Sequence, residues 1–191
     1  KEHFEELGIE LTEGYRTEVN LGITKWFKYV FEMIDSGYLL LIDYGHEAGE
    51  YYNSHRSKGT LRCYYSHTLN MNPYIHVGKQ DISSHVDFTT LRKVALDVGF
   101  DLMEEKSQSQ FLSDLGFDRY KDKIASNNNL NLVTKNTNLR LLELLMDEAG
   151  MGSFRVFIFA KNILDPSTNT IDYNEIDVPL VLATPRHMPG W

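Results

Sequence analysis

Tyr38-Leu39-Leu40-Leu41-Ile42 is a continuous apolar run without polar alternation, and it ends at Asp43-Tyr44-Gly45. Such a run predicts a strand covered on both faces, the kind a parallel sheet carries between two layers of helices. This one segment therefore points to an α/β fold. It also orients the search for a site. In an open α/β sheet, ligands bind beyond the carboxyl ends of the strands, so Asp43 and the loop after it lie on the active edge.

The flanking sequence extends the pattern. Tyr15 to Val19 alternates loosely like a strand, and Asn20 stands where a helix N-cap would. Ile23, Trp26, Phe27, Val30, Phe31 and Ile34 then recur at three- and four-residue intervals, giving a helix that packs on a sheet and stops at Ser36-Gly37. A right-handed crossover through that helix would bring Glu18 and Asn20 to the edge that carries Asp43. From Gly45 to His85 the chain reads as a long loop with one short strand at Leu61 to Tyr65. Loops of that length usually carry function.

Order returns at Asp87, an N-cap for a helix with Phe88, Leu91, Val94, Ala95 and Val98 on one face and Gly99 closing it. Phe100 to Glu104 predicts a short strand. Ser107 with Gln110 forms a capping box for a helix that ends at Gly116. The tract around Asn127-Asn128-Asn129 reads as a surface loop, Leu139 to Met146 as an apolar helix, and Phe154 to Phe159 as a strand. Four of the five prolines, Pro166, Pro179, Pro185 and Pro189, fall in an extended tail. Apart from the short segment at Leu61 to Tyr65, only four strands are expected, so the sheet reads as incomplete.

Composition removes several function classes. The 191 residues suit one domain or a large piece of one, and 42% hydrophobic content is enough for a core. A net charge of -8 is the wrong sign for binding phosphate backbones, so no nucleic-acid partner is expected. No apolar run spans a bilayer and the start lacks a signal-peptide apolar region, so no membrane association is expected. The single cysteine, Cys63, fits a reducing compartment such as the cytoplasm. The absence of an initial methionine suggests a processed chain or part of a longer one.

The motifs are weighed by the chemistry they need. Gly150-Met151-Gly152 precedes a strand, whereas a nucleotide-binding loop must follow one, so it reads as a turn. Five of the seven histidines, His46, His55, His67, His76 and His85, sit in or at the end of the long loop, where they could relay protons or bind metal. His85-Val86-Asp87 has the H-x-D spacing of an iron site that would need a third ligand such as His187. Asp87 is better explained as the helix cap. For Asp43, a loop-bracing hydrogen bond and a functional role stand level.

Taken in order, Glu18-Val19-Asn20, Leu40 to His46, Gly59-Thr60-Leu61-Arg62, Tyr64 with His67 and Pro73 with Gly78 resemble the MidA-like family of S-adenosylmethionine-dependent methyltransferases. The match continues through Asp81-Ile82-Ser83, His85-Val86-Asp87-Phe88, Gln108 with Phe111-Leu112, Leu115-Gly116 and Met151-Gly152. That family includes the mitochondrial arginine methyltransferase of complex I assembly. The resemblance implies the C-terminal part of a class I, Rossmann-like methyltransferase sheet, with Leu39 to Asp43 as its fifth strand. Phe88 to Val98 would be the next helix, and Phe100 to Glu104 with Phe154 to Phe159 the closing antiparallel pair. Residues 1–162 would form that half-domain, with an active-edge loop over 45–86 and a helical insert over 107–149, and 163–191 a tail. The family's glycine-rich cofactor loop lies upstream of the matched part, so S-adenosylmethionine would be held mainly by a half this chain lacks, and the chain alone would be inactive. Ser83 replaces the family's threonine.

What the resemblance implies is transfer of a methyl group to a protein side chain, arginine by analogy, with a link to respiratory complex assembly. The catalytic candidates are Asp43, Tyr44, His67, Asp81, His85 and Asp87; Glu18, Asn20, His46 and Arg62 are the candidates for holding substrate. No resident metal is expected. An unfinished sheet would leave an apolar edge or face open, so a homodimer is expected beside a protein substrate. The rival readings are a non-catalytic assembly module and a metal enzyme built on His85 and Asp87.

Overall fold

Three strands, β1 (Gly37–Asp43), β7 (Asp101–Ser107) and β8 (Arg155–Lys161), form a sheet in the order β1-β8-β7, so the last strand in sequence sits between the other two. The computed structural model describes residues 2–163. The described chain is mixed α/β and divides into two units. The first takes in residues 2–39, 43–103 and 159–162; the second, residues 40–42, 104–158 and 163. The prolines of the tail and His187 lie outside the described residues.

In the first unit, α2 (Ile23–Met33) and α4 (Phe88–Val98) enclose an aromatic core. The Phe27 ring lies 6.2 Å from Phe100 and 6.0 Å from Phe159, edge to face, and all three are buried. Gly99 closes α4 in the left-handed conformation at φ 112°, where a Cβ would stand 3.2 Å from the Phe31 ring. A glycine is thus needed for the cap and for the approach of α2. A second cluster joins Tyr51 and Tyr52 of α3 (Ala48–Tyr51) and its cap to Phe4, Leu7, Ile9 and Leu11, in and after α1 (Glu2–Glu6).

Four expectations need correction here. Tyr15 to Val19 is not a strand, because its hydrogen bonds go to a loop: Arg16 N–H to Ser57 O at 3.0 Å and Tyr15 OH to Asn53 O at 2.8 Å. Asn20 does not cap α2; its side chain accepts from Gly22 N–H, and Gly22 occupies the cap. The β1 strand is not covered on both faces, since Leu40 and Ile42 are 50% and 44% exposed while Leu39 and Leu41 are partly covered. The long loop is not structureless. It holds β2 (Gly45–His46), α3, a 3-10 turn, β3 (Arg62–Tyr65), β4 (Thr68–Asn70), β5 (Asp81–Ser83) and β6 (Val86–Asp87). β3 is the centre of an antiparallel sheet ordered β4-β3-β5, and β2 pairs in parallel with β6.

The second unit is mainly helical. α5 (Gln108–Asp114) begins at Ser107, whose hydroxyl accepts from Gln110 N–H at 3.2 Å. Gly116, at φ 78°, starts another helix, α6 (Phe117–Ser126), as well as following α5. α7 (Leu132–Met146) begins seven residues before its apolar stretch because Asn131 caps it, accepting from Thr134 N–H at 2.9 Å. Gly152 packs on the end of α7, where a Cβ would stand 2.5 Å from Met146 O. Among the described residues no helix is long and apolar enough to cross a membrane.

Candidate functional site

A cleft of about 750 Å³ opens in the first unit, walled by Glu18 to Thr24, Tyr51 and Tyr52, the Ser84 to Asp87 segment, one side of α4 from Thr90 to Asp97, and α1. The end of β1 places one side of it. Val86 N–H donates to Tyr44 O at 3.0 Å, and Gly45 then pairs with Val86 and His46 with Asp87. A Cβ on Gly45 would stand 2.1 Å from Val86 O, so only glycine permits this pairing. Val86 and Asp87 therefore lie at the carboxyl end of β1, while Asp81 to Ser83, expected there with them, pair with β3 instead.

Asp87 caps α4. Its carboxylate accepts from Thr90 N–H at 3.1 Å, Thr90 OH at 2.6 Å and Tyr52 OH at 3.2 Å, and His3 Nε2 lies 3.9 Å away. Burial and the Asp87 charge push the Tyr52 phenol far up, so Tyr52 stays a hydrogen-bond donor. Across the cleft, Glu18 is held by Thr60, which donates its N–H at 2.8 Å and its hydroxyl at 3.0 Å to the same carboxylate oxygen. Having given its only proton to Glu18, the Thr60 oxygen accepts from His85 N–H at 3.1 Å and from Tyr51 OH at 3.3 Å. Thr60 is 3% exposed, so its hydroxyl is shielded from solvent at this junction. Gly59, at φ 78°, lets the chain turn where a Cβ would meet the Glu18 carboxylate at 2.3 Å.

His85 also faces two rings: Tyr44 at 5.3 Å, edge-on, and His46 at 5.0 Å. His46 Nε2 and His85 Nδ1 are buried and have no hydrogen-bond partner. Burial holds both imidazoles below the usual histidine range, aided by the Arg56 charge. A neutral imidazole with an unused ring nitrogen can take a proton.

The candidate residues separate into two groups. Glu18, Asn20, His85 and Asp87 line the cleft, and Tyr44 and His46 pack against His85. Asp43 accepts from Tyr44 N–H at 2.8 Å, the bracing bond, while its charge and that of Arg62 both act on His85. Arg62 is otherwise bonded to Leu61 O. Asp81 stands exposed on β5, opposite Tyr64, and His67 sits in the β3–β4 turn at φ 63°; neither lines the cleft. Thr60, Tyr51 and Tyr52 were not among the candidates. Thr60 lies within the Gly59 to Arg62 motif, which was the available signal. Among the described residues no three histidine, cysteine, aspartate or glutamate side chains gather in a way that could hold a metal ion.

Residues 1–105 match the family model described as "Putative S-adenosyl-L-methionine-dependent methyltransferase". No curated protein matches the chain. Two crystal structures from Burkholderia thailandensis do, each at 32% identity and a TM-score of 0.74 over 84% of this chain. One is the native structure of an uncharacterized protein; the other is described as a "likely methyl transferase" bound to S-adenosyl-homocysteine. The chain spans 42% and 41% of their lengths.

Proposed function

The chain belongs to this S-adenosyl-L-methionine-dependent methyltransferase family, and we propose that it forms the acceptor-binding side of such an enzyme, acting on an arginine side chain of a protein. The observation that carries the choice of acceptor is the state of two carboxylates on one cleft. Glu18 and Asp87 are held by neutral donors, and no lysine or arginine pairs with either among the described residues. Of the other two carboxylates on the wall, Glu6 is already paired with Lys93, and the Asp97 charge also acts on Lys93. A cleft with uncompensated negative charge favours a cation, and a guanidinium offers the planar donors that carboxylates accept in pairs.

On this reading the cofactor is held mainly outside the described residues, and two glycines support that. Gly45, between β1 and α3, is filled by the Val86 backbone, and Gly152 by the end of α7. The part of the described residues is to bind and orient the acceptor: Thr60 fixes the Glu18 carboxylate, Thr90 and Tyr52 fix that of Asp87, and the neutral His85 imidazole takes the proton the acceptor nitrogen releases. The order β1-β8-β7, with the final strand inserted between the others, supports the closing edge of a class I methyltransferase sheet. On that reading residues 1–162 are the C-terminal part of the domain and α5 to α7 its helical insert. A role in respiratory complex assembly would follow from the nature of the acceptor protein.

The test is transfer of labelled methyl from S-adenosylmethionine by the full-length protein to matched peptides bearing arginine, lysine or glutamine. Label on the arginine peptide alone is the expected result. Label on glutamine, or on none with the cofactor bound, would overturn the reading.

A further inference from the structure

We propose that His46 and His85 form a two-ring relay that carries a proton out of the cleft, entering at His85 Nε2 and leaving at His46 Nδ1. That the proton comes from a methyl acceptor rests on the function proposed above; the relay itself rests on how the two rings are placed.

The pairing of β2 with β6 brings the rings together. Gly45 lies opposite Val86 and His46 opposite Asp87, and alternate residues of a strand share a face. His46 is therefore the diagonal neighbour of His85, and their ring centroids lie 5.0 Å apart. The ring nitrogens divide by access. His46 Nε2 and His85 Nδ1 are buried without a hydrogen-bond partner, and the other nitrogen of each ring is not closed off in this way. His85 lines the cleft and His46 does not, so His46 reaches the acceptor only through His85. On its other side His46 feels the Glu50–Arg56 ion pair, whose Glu50 side chain is 57% exposed. The pair thus has one end on the cleft, a buried middle and one end toward the surface.

Charge decides how a proton crosses it. Arg56 and Arg62 act on His85 against Glu18 and Asp43, and Arg56 acts on His46 against Glu50. Burial and the arginines keep both rings neutral, so a proton lodged on either one is disfavoured. A relay avoids lodging it. At rest each ring carries its hydrogen on Nδ1. When the acceptor nitrogen takes up the methyl group, its N–H bond breaks, the electron pair stays on nitrogen, and the proton goes to His85 Nε2. The Nδ1 proton of His85 passes to His46 Nε2, directly or through one water, and the Nδ1 proton of His46 goes to solvent. One proton enters, one leaves, and both rings end neutral. Once the product has left, water in the cleft lets the reverse shuttle restore both tautomers.

The test takes two readings on the full-length protein. The first is NMR of isotope-labelled histidine nitrogens without cofactor or acceptor, assigned through His46→Gln and His85→Gln. Both rings should carry hydrogen on Nδ1 and none on Nε2 at neutral pH. Hydrogen on Nε2 of either ring would overturn the proposal, because the entry or the middle acceptor would be filled. The second is methylation of the arginine peptide: His46→Gln should lower kcat roughly tenfold with the acceptor KM and the affinity for S-adenosyl-homocysteine unchanged. Added imidazole should restore transfer by His46→Ala without speeding the unaltered protein. An unchanged kcat in His46→Gln, or a loss carried by KM, would overturn the relay. If only the choice of arginine is wrong, the unaltered protein leaves that peptide unlabelled, and the tautomers alone decide the relay.

Discussion

The Glu18 carboxylate and Thr60, 42 residues apart in sequence, are joined by two hydrogen bonds to one oxygen, from the Thr60 N–H at 2.8 Å and its hydroxyl at 3.0 Å. The same hydroxyl oxygen takes up the His85 N–H. Thr60→Val keeps the shape and the backbone bond but leaves the His85 N–H and Tyr51 OH without this acceptor. Each unpaired buried group costs about 1–3 kcal/mol. Urea unfolding should show a loss of that order, whereas Thr60→Ser should restore most of it. Equal stability for Val and Ser would show that the hydroxyl bonds carry no weight.

Three glycines should respond to alanine in different ways. At Gly45 the Cβ meets the Val86 backbone, which cannot move without unpairing β2 from β6; at Gly59 it meets the movable Glu18 side chain but at positive φ; at Gly49, inside α3, it meets nothing. Gly45→Ala should be the most destabilising and Gly59→Ala should cost roughly 1–2 kcal/mol of backbone strain. Gly49→Ala should stabilise by up to about 1 kcal/mol. Thermal unfolding of the three variants gives the order.

Asp87→Ala removes the α4 cap and the acceptor of Tyr52 OH together. Loss of the cap costs about 0.5–2 kcal/mol. Asp87→Asn keeps an N-cap oxygen while removing the charge, so it should fold nearly as well and still transfer methyl poorly. Normal transfer by Asp87→Asn would confine Asp87 to capping.

The His46–His85 pair makes stability depend on pH. Both imidazoles have folded values below the ordinary 6.5, so below that pH the unfolded chain binds more protons than the folded one. Their contribution is fully present above pH 6.5 and falls as the pH drops toward the folded values. Urea midpoints should decline on acidification through this window, and less so in the His46→Gln, His85→Gln variant. Parallel declines in the two proteins would assign the effect to other groups.

Much of this arrangement is legible in the sequence, and the parts that are not share a cause. β1, α4 and β8 are set by local signals: an apolar run, Asp87 with Gly99, and β-branched and aromatic residues. Tyr15 to Val19 alternates like a strand, but its partners are residues 53–60, which a local pattern cannot reveal. β4 and β5 are three residues each, too short for alternation to show. α6 and the start of α7 are hidden because charged and polar residues interrupt their apolar spacing, as in Lys121-Asp122-Lys123 and Thr134 to Asn138, and because their caps, Gly116 and Asn131, resemble turn residues. At the site, Glu18, His85 and Asp87 follow from motif and edge position. Thr60 does not, because nothing in a lone threonine shows that it bonds three segments at once.

Glu18, on the function proposed, serves the acceptor and not the cofactor, and this is measured most directly with Glu18→Gln in the full-length protein, by arginine-peptide methylation and S-adenosyl-homocysteine calorimetry on the same sample. Transfer should fall roughly tenfold or more, about 1.4 kcal/mol in the barrier, while the affinity for S-adenosyl-homocysteine is unchanged. Unchanged transfer, or a loss of cofactor affinity that accounts for the loss of transfer, would contradict the account.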